Sequence, residues 1–224
     1  AITSGTWEAA QASAAIAQTA QRIVAGGARS AFALCRPPGH HAARDMYGGY
    51  CFLNNAAIAA QMFLNDGAKR VAILDPDFHH GNGTQDIFYD RDDVLFLSLH
   101  GAPEHAFPHF LGYEDEKGAG KGDGFTANYA MPPNTGYDEW GSAMDDAIKR
   151  IEAYSPDALV VSLGVDTFER DPISFFKLKS DDFTDYGGRI AKLKLPTLFC
   201  MEGGYAVEEI GINTVNVLEG FENG

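Results

Sequence analysis

Short apolar runs alternate with helical segments along almost the whole chain, and this alternation constrains the fold more than any other feature of the sequence. Each run is apolar throughout, so it offers no polar face to solvent. Strands of this kind belong to parallel sheets that helices cover on both faces. The sequence therefore predicts an α/β fold with a mostly parallel central sheet and helices on both faces.

The alternation continues through the chain without a break, and its 224 residues fit a single domain. We expect one domain over residues 1–224. Apolar periodicity predicts strands at residues 31–35, 71–74, 94–99, 126–130, 158–162 and 197–201. It predicts helices at residues 7–24, 55–64, 140–154 and 182–193, a short helix after Thr84 and a last one from Val207.

The net charge indicates which kinds of partner the protein binds, and the cysteine content indicates its cellular compartment. The chain has 31 acidic and 17 basic residues and a net charge of −14, which opposes binding to nucleic acid and anionic membranes and attracts a small cationic substrate. Its apolar runs are far shorter than the ~20 residues of a membrane-spanning helix. Three widely spaced cysteines suit a reducing compartment. We therefore expect a cytoplasmic protein that binds neither nucleic acid nor membranes.

All seven histidines lie between His40 and His109, and four of them form two adjacent pairs. The pairs are His40 with His41 and His79 with His80, and each pair follows a predicted strand. Sheets of this kind bind ligands at the carboxyl ends of their strands. A single histidine is more often structural than functional, but two pairs at neighbouring strand ends favour a functional site.

A candidate metal site begins after the second predicted strand. Residues two apart in extended backbone point the same way, so Asp75, Asp77 and His79 share one face, and Asp77 with His79 forms a chelating pair. A catalytic metal generally takes three protein ligands and leaves one position open. The third ligand must come from another loop, and both Asp166 and Asp171 are within reach after the fifth predicted strand.

A tyrosine follows the last predicted strand. Gly203 and Gly204 precede Tyr205 and permit a tight turn that aims the phenol into a cleft. There the phenol can donate a hydrogen bond to a carbonyl oxygen, although a lone loop tyrosine is more often packed for structural reasons.

Five segments together carry a family resemblance. They are Arg36-Pro-Pro-Gly-His-His-Ala42, Gly49-Tyr-Cys-Phe-Leu-Asn54, Asp75-Pro-Asp-Phe-His-His-Gly-Asn-Gly83, Gly164-Val-Asp-Thr-Phe-Glu-Arg-Asp171 and Glu202-Gly-Gly-Tyr205. In this order and spacing they resemble the histone deacetylase superfamily, which has a deacetylase/arginase-like α/β fold. Within it, Asp171-Pro-Ile-Ser and Met201-Glu-Gly-Gly-Tyr-Ala-Val-Glu-Glu-Ile look most like bacterial acetylpolyamine amidohydrolases.

The resemblance implies a set of metal ligands. These are Asp77, His79 and Asp171, with Asp166 as a supporting residue. The family implies Zn(II) as the metal. Two carboxylates and one imidazole are a harder ligand set than zinc usually takes, so Fe(II), Mn(II) and Co(II) are compatible as well.

The resemblance also implies catalytic roles for His40, His41 and Tyr205, with the two imidazoles moving protons and the phenol polarising the acetyl carbonyl. Asp75 is implied to orient His40, and Asn82 to pair with His41 where some relatives carry an aspartate. An amide in that position leaves His41 less basic than a carboxylate would, because the negative charge is absent.

A narrow substrate tunnel and a structural monovalent cation are further features of similar proteins. By resemblance, Tyr50, Phe107, Gly49 and Gly203 line the tunnel, where aromatic walls grip a slim methylene chain. The resemblance also implies a structural K⁺, whose surroundings are Asp75, Asp77, His79, Ser98 and Leu99.

The implied activity is removal of acetyl groups from acetylated amines, above all acetylpolyamines, by metal-activated water. The implied partners are a small cationic acetylated amine and a second copy of the chain in a homodimer. Compared with similar proteins, we expect the N-terminal segment of the family to be lacking here. One alternative is a histone-type deacetylase acting on protein acetyl-lysine, and another is a catalytically silent protein that binds metal and acetylated ligands.

Overall fold

A computed structural model describes residues 2–224, which form six α-helices and six β-strands. The strands are β1 (Ser30–Ala33), β2 (Val71–Asp75), β3 (Val94–Gly101), β4 (Thr126–Met131), β5 (Ala158–Leu163) and β6 (Thr197–Met201). The helices are α1 (Thr6–Ala25), α2 (Asn55–Asn65), α3 (Asn82–Phe88), α4 (Tyr137–Tyr154), α5 (Ser180–Ala191) and α6 (Ile210–Asn223).

The six strands form one sheet in the order β1-β6-β5-β2-β3-β4. All five strand pairings are parallel, so the predicted α/β fold is confirmed. Because parallel strands end at the same edge, the loops that follow them meet along that edge.

Helices cover both faces of the sheet, as predicted. Adjacent strand residues point to opposite faces. Leu74, Leu97 and Val161 pack in the core that includes buried residues of α4, α5 and α6, whereas Ile73 and Val160 pack in the core that includes those of α1 and α2. The strands are therefore buried on both sides, which is why their sequences are continuously apolar.

Five of the six helix starts differ from the prediction; α1, α4 and α5 begin one to three residues early, and the other two starts are set by adjoining turns and loops. The last helix begins at Ile210 instead of Val207, because the Ala206 carbonyl accepts the backbone N–H groups of Glu209 and Ile210 in a turn that precedes the helix. The short helix α3 begins before Thr84, at Asn82. There the His40 carbonyl accepts two N–H groups from the first turn of α3, which ties α3 to the loop after β1.

None of the helices within residues 2–224 combines the length and the hydrophobicity needed to cross a membrane. The three cysteines, Cys35, Cys51 and Cys200, are free and buried.

Candidate active site

Four loops meet at the carboxyl edge of the sheet and bring polar side chains together there. They follow β1, β2, β5 and β6, which lie next to one another in the strand order. The residues that they carry into this region are His40, His41, Asp75, Asp77, His79, Asp166, Asp171, Glu202 and Tyr205.

Asp77, His79 and Asp166 form a buried cluster in which the three potential ligand atoms lie within 4.8 Å of one another. Nδ1 of His79 lies 2.8 Å from Asp166 Oδ2 and 3.3 Å from Asp77 Oδ1. The backbone passes close behind these groups, since a Cβ on Gly203 would lie 2.5 Å from Asp166 Oδ2 and 2.7 Å from Asp77 Oδ2. Glycine is therefore required there for the two carboxylates to keep their positions.

The cluster holds more negative than positive charge. Burial raises the pKa of Asp166 to about 7, and the nearby Asp77 carboxylate adds to the rise. Burial alone would lower the pKa of His79, but Asp166 and Asp77 raise it to about 10. Buried together, these three side chains offer two carboxylate donors and one imidazole donor. This donor set fits a divalent metal ion.

His40 and His41 lie beside the cluster, and each contacts one partner. Nδ1 of His40 lies 3.0 Å from Asp75 Oδ2, and its Nε2 lies 3.9 Å from Asp77 Oδ1. Nδ1 of His41 lies 2.7 Å from Asn82 Oδ1. Both partners expected from the sequence are thus in contact with the expected imidazole.

The two imidazoles have opposite pKa shifts. Burial acts to lower the pKa of His40, but the carboxylates of Asp77 and Asp75 outweigh burial and hold this pKa well above its ordinary value. Burial and the charge of the adjacent His40 hold the pKa of His41 well below its ordinary value. His40 is therefore cationic and His41 neutral at neutral pH, a division typical of acid–base pairs.

An open pocket of about 560 Å³ gives access to these groups. His41, His79 and Tyr205 line it together with the aromatic side chains of Tyr50 and Phe107. Burial raises the pKa of the Tyr205 phenol, and the Asp77 and Asp166 carboxylates add to the rise, so the phenol keeps its proton. The pocket thus joins a neutral imidazole, a phenol that can donate a hydrogen bond, and the histidine of a cluster that fits a metal ion.

Residues 1–221 match the histone deacetylase domain. The chain belongs to the histone deacetylase family. The family is metal-dependent, and the buried cluster of Asp77, His79 and Asp166 supplies this member with residues that fit a metal ion.

Similar proteins within the family include acetylpolyamine amidohydrolases. The chain is 65% identical over 221 residues to acetylpolyamine amidohydrolase 1 of Pseudomonas aeruginosa, a match that covers 99% of this chain and 64% of that protein. It is 62% identical over 220 residues to the acetylpolyamine amidohydrolase of Mycoplana ramosa, covering 98% of this chain and 64% of that protein. The chain therefore spans about 64% of the length of these relatives.

A solved structure has the same fold. The crystal structure of acetylpolyamine aminohydrolase from Burkholderia pseudomallei aligns with a TM-score of 0.94 at 46% identity. The alignment covers 96% of this chain and 63% of that one.

Asp171 does not lie among the potential metal ligands, where the sequence predicted it. Its Oδ2 accepts the backbone N–H groups of Tyr205 at 2.7 Å and Ala206 at 3.3 Å, and its Oδ1 accepts that of Ile173 at 3.0 Å. A turn from the Phe168 carbonyl to the Asp171 N–H reverses the chain, so Asp171 lies under the Tyr205 segment. Asp166, and not Asp171, completes the cluster, which corrects the expected ligand set.

The pocket lining also differs in part from the expectation. Gly49, Tyr50 and Phe107 line the pocket, but Gly203 is buried behind it, where its N–H donates to Asp77 Oδ2 at 2.8 Å. Five further lining residues were not foreseen: Phe78, His105, Ala106, Ile173 and Phe175. All five lie outside helices and strands, where no periodicity indicates which way a side chain points.

Glu202 is a buried site residue to which sequence reasoning gave no role. Its Oε2 accepts the N–H groups of Gly39 at 2.7 Å and His40 at 3.1 Å, which ties the loop after β6 to the loop after β1. Burial raises the pKa of Glu202 to about 7. The signal available in the sequence was an acid directly after a fully apolar strand, which predicts a carboxylate at the carboxyl edge.

Proposed function

We propose that this protein is a metal-dependent amidohydrolase that removes acetyl groups from acetylated polyamines. The observation that carries the proposal is that one pocket is lined by His41, Tyr205 and His79, and His79 belongs to the buried Asp77–His79–Asp166 cluster. The similarity to proteins named acetylpolyamine amidohydrolase supports the polyamine substrate.

Asp77, His79 and Asp166 are the proposed metal ligands, and Zn(II) is the proposed metal, with Fe(II), Mn(II) or Co(II) as alternatives for this donor set. A divalent ion held there supplies Lewis-acid activation of water and of an acetyl carbonyl.

A structural K⁺ is proposed beside Asp75, Asp77, His79, Ser98 and Leu99. Asp75, at the end of β2, and Ser98, within β3, are register partners, which supports a shared site. His100 Nε2 donates to the Gly112 carbonyl at 2.8 Å, so its unprotonated Nδ1 accepts the Ser98 hydroxyl at 2.9 Å and leaves the hydroxyl oxygen free for an ion.

His41 is the proposed general base. The Asn82 amide oxygen accepts a hydrogen bond from its Nδ1–H, which leaves the unprotonated Nε2 as the basic nitrogen. Because the pKa of His41 is held low, the imidazole is neutral before reaction and can accept a proton from attacking water. It can then deliver that proton to the leaving amine. The cationic His40, paired with Asp75, contributes positive charge near the reacting groups.

Tyr205 is the proposed donor to the developing oxyanion. Its phenol keeps its proton because burial and the Asp77 and Asp166 carboxylates raise its pKa. A donor fixed where negative charge develops stabilises the transition state more than the ground state.

The pocket walls suit a slim alkyl chain. Tyr50, Phe107 and Phe175 give aromatic surface on which methylene groups pack. The net charge of −14 favours the approach of a cationic amine. A homodimer and a cytoplasmic location stay predictions.

The test is acetate release by purified, zinc-loaded protein from acetylputrescine, acetylspermidine and an acetyl-lysine peptide, each at matched concentration. We expect the acetylpolyamines to give the higher kcat/KM. A clear preference for the peptide would replace the proposal with the protein deacetylase alternative. Binding of zinc and acetylpolyamine without any release of acetate would favour the catalytically silent alternative.

Gly49→Ala tests whether His41 must keep its observed position. Gly49 has φ +52°, and a Cβ there would lie 2.1 Å from His41 Cδ2, so the imidazole must move. A displacement of about 1 Å costs roughly 100-fold in rate, and we expect a loss of that order in kcat with zinc content unchanged. The matched control is Gly48→Ala, because a Cβ on Gly48 meets no atom within 4 Å. Equal kcat for both variants would contradict the role assigned to His41.

A further inference from the structure

We infer that Asp171 is a positioning residue that holds Tyr205 in its catalytic orientation through the backbone; this inference rests on the proposed function. Asp171 does not line the pocket and does not belong to the metal cluster. It acts on the reaction only through the segment that carries the phenol.

The contacts of Asp171 are concentrated on that segment. Its carboxylate is buried, with 7% of the residue exposed, and Oδ2 accepts two consecutive amides, those of Tyr205 at 2.7 Å and Ala206 at 3.3 Å. Oδ1 accepts the amide of Ile173 at 3.0 Å, and Ile173 lines the pocket. One carboxylate therefore links the loop after β5 to the segment between β6 and α6.

The Tyr205 segment needs such a contact because its backbone has little regular structure. It follows two glycines, and Gly204 has φ +156°, a conformation that favours glycine. Helix α6 begins only at Ile210, so helical hydrogen bonds do not fix the backbone of Tyr205. On its other side the segment is held by packing, since a Cβ on Gly204 would lie 2.8 Å from a Val165 methyl group.

The number of acceptor oxygens that each residue at position 171 offers predicts the order of kcat among the variants. Both carboxylate oxygens accept backbone N–H groups, so Asp171→Ala removes all three acceptor contacts. Asp171→Asn keeps one acceptor oxygen, which can still serve Tyr205 and Ala206, and turns an amide NH₂ toward Ile173. We expect kcat to fall in the order wild type, Asp171→Asn, Asp171→Ala, so that the conservative variant rescues part of the loss.

A double-mutant cycle with Tyr205→Phe separates positioning from general structural damage. In the protein with Tyr205 intact, Asp171→Ala should lower kcat about tenfold to hundredfold, as expected for a catalytic group displaced by about 1 Å. In the Tyr205→Phe background the same change should lower kcat no more than about twofold, because effects that act through one group are not additive. Zinc content should stay equal in all four proteins. An equal fold-loss in both backgrounds would overturn the inference.

Asp157→Ala is the matched control for Asp171→Ala. Asp157 Oδ2 also accepts two consecutive amides, those of Lys69 at 2.7 Å and Arg70 at 3.1 Å, but Asp157 directly precedes β5, at the opposite edge of the sheet. This variant should leave kcat within about twofold of wild type, because it removes the same kind of contact away from the site. Where Asp171→Ala does not fold, the cycle is run with Asp171→Asn.

Amide hydrogen exchange tests the inference without any turnover. Asp171→Ala should speed exchange at Tyr205 and Ala206, and Asp157→Ala should leave both rates unchanged. If the wild-type protein releases no acetate, the proposed function fails, while faster exchange still supports the positioning contact. Unchanged exchange at both amides would overturn the contact whatever the activity.

Discussion

Asp166→Ala should strip the divalent metal from the protein and reduce deacetylation by at least about 10³-fold, whereas Asp171→Asn should keep the metal. Asp166 contributes one of the three clustered donors, and Asp171 contributes none. Loss of residues that only orient metal ligands already costs about 10–100-fold in affinity, so loss of a ligand should cost more.

The measurement is metal content by mass spectrometry after dialysis against buffers of fixed free zinc. Asp171→Asn is the control, because it alters a buried aspartate in the same loop. Full zinc occupancy in Asp166→Ala together with loss of zinc in Asp171→Asn would reverse the assignment and restore the ligand set expected from the sequence.

His41→Ala should lower kcat about 10²–10⁴-fold, the usual contribution of a positioned general base, with zinc content unchanged. The expectation follows from the neutral state of His41, its hydrogen bond to Asn82 and its place in the pocket lining. Single-turnover acetate release measures the loss. His109→Ala serves as the control, because this histidine is exposed and does not line the pocket. A kcat within about threefold of wild type in His41→Ala would remove His41 from the reaction.

The fold was predictable because both faces of the sheet are buried. Strands such as β2 and β5 must be apolar throughout to pack against helices on each side, and this leaves an unambiguous pattern. The starts of α3 and α6 were less predictable. Each is set by hydrogen bonds in the adjoining turn or loop, such as those accepted by the carbonyls of His40 and Ala206, and no local apolar period marks them.

The site was predictable where residues directly follow a strand in extended backbone. Asp77 and His79 lie two apart, so they share a face and enter the same cluster. In the loop after β5 the extended backbone ends, and the turn between Phe168 and Asp171 decides which aspartate reaches the cluster. That turn depends on tertiary contacts of the loop, which the sequence does not show. Charge and spacing therefore could not decide whether Asp166 or Asp171 is the third ligand.

Buried carboxylates link the loops of the site to one another. Asp166 Oδ1 accepts the Phe78 N–H at 2.7 Å, and Asp77 Oδ2 accepts the Gly203 N–H at 2.8 Å. Glu202 and Asp171 make similar contacts to the segments that carry His40 and Tyr205. Groups fixed in this way need little rearrangement during a reaction, which is the physical basis of electrostatic preorganisation. The sequence shows the acids, but only the fold shows which amides they accept.

The central claim is that loops from β2 and β5 bring Asp77, His79 and Asp166 around one divalent cation. Its most direct test is anomalous diffraction at the zinc absorption edge from crystals of the zinc-loaded protein. The account predicts one strong peak within about 2.0–2.2 Å of an oxygen of each aspartate and a ring nitrogen of His79, with Asp171 still accepting the Tyr205 amide. A peak coordinated by Asp171 would contradict it, as would a peak at His40, Cys51 and Glu202, a second buried group whose potential ligand atoms lie within 4.8 Å of one another.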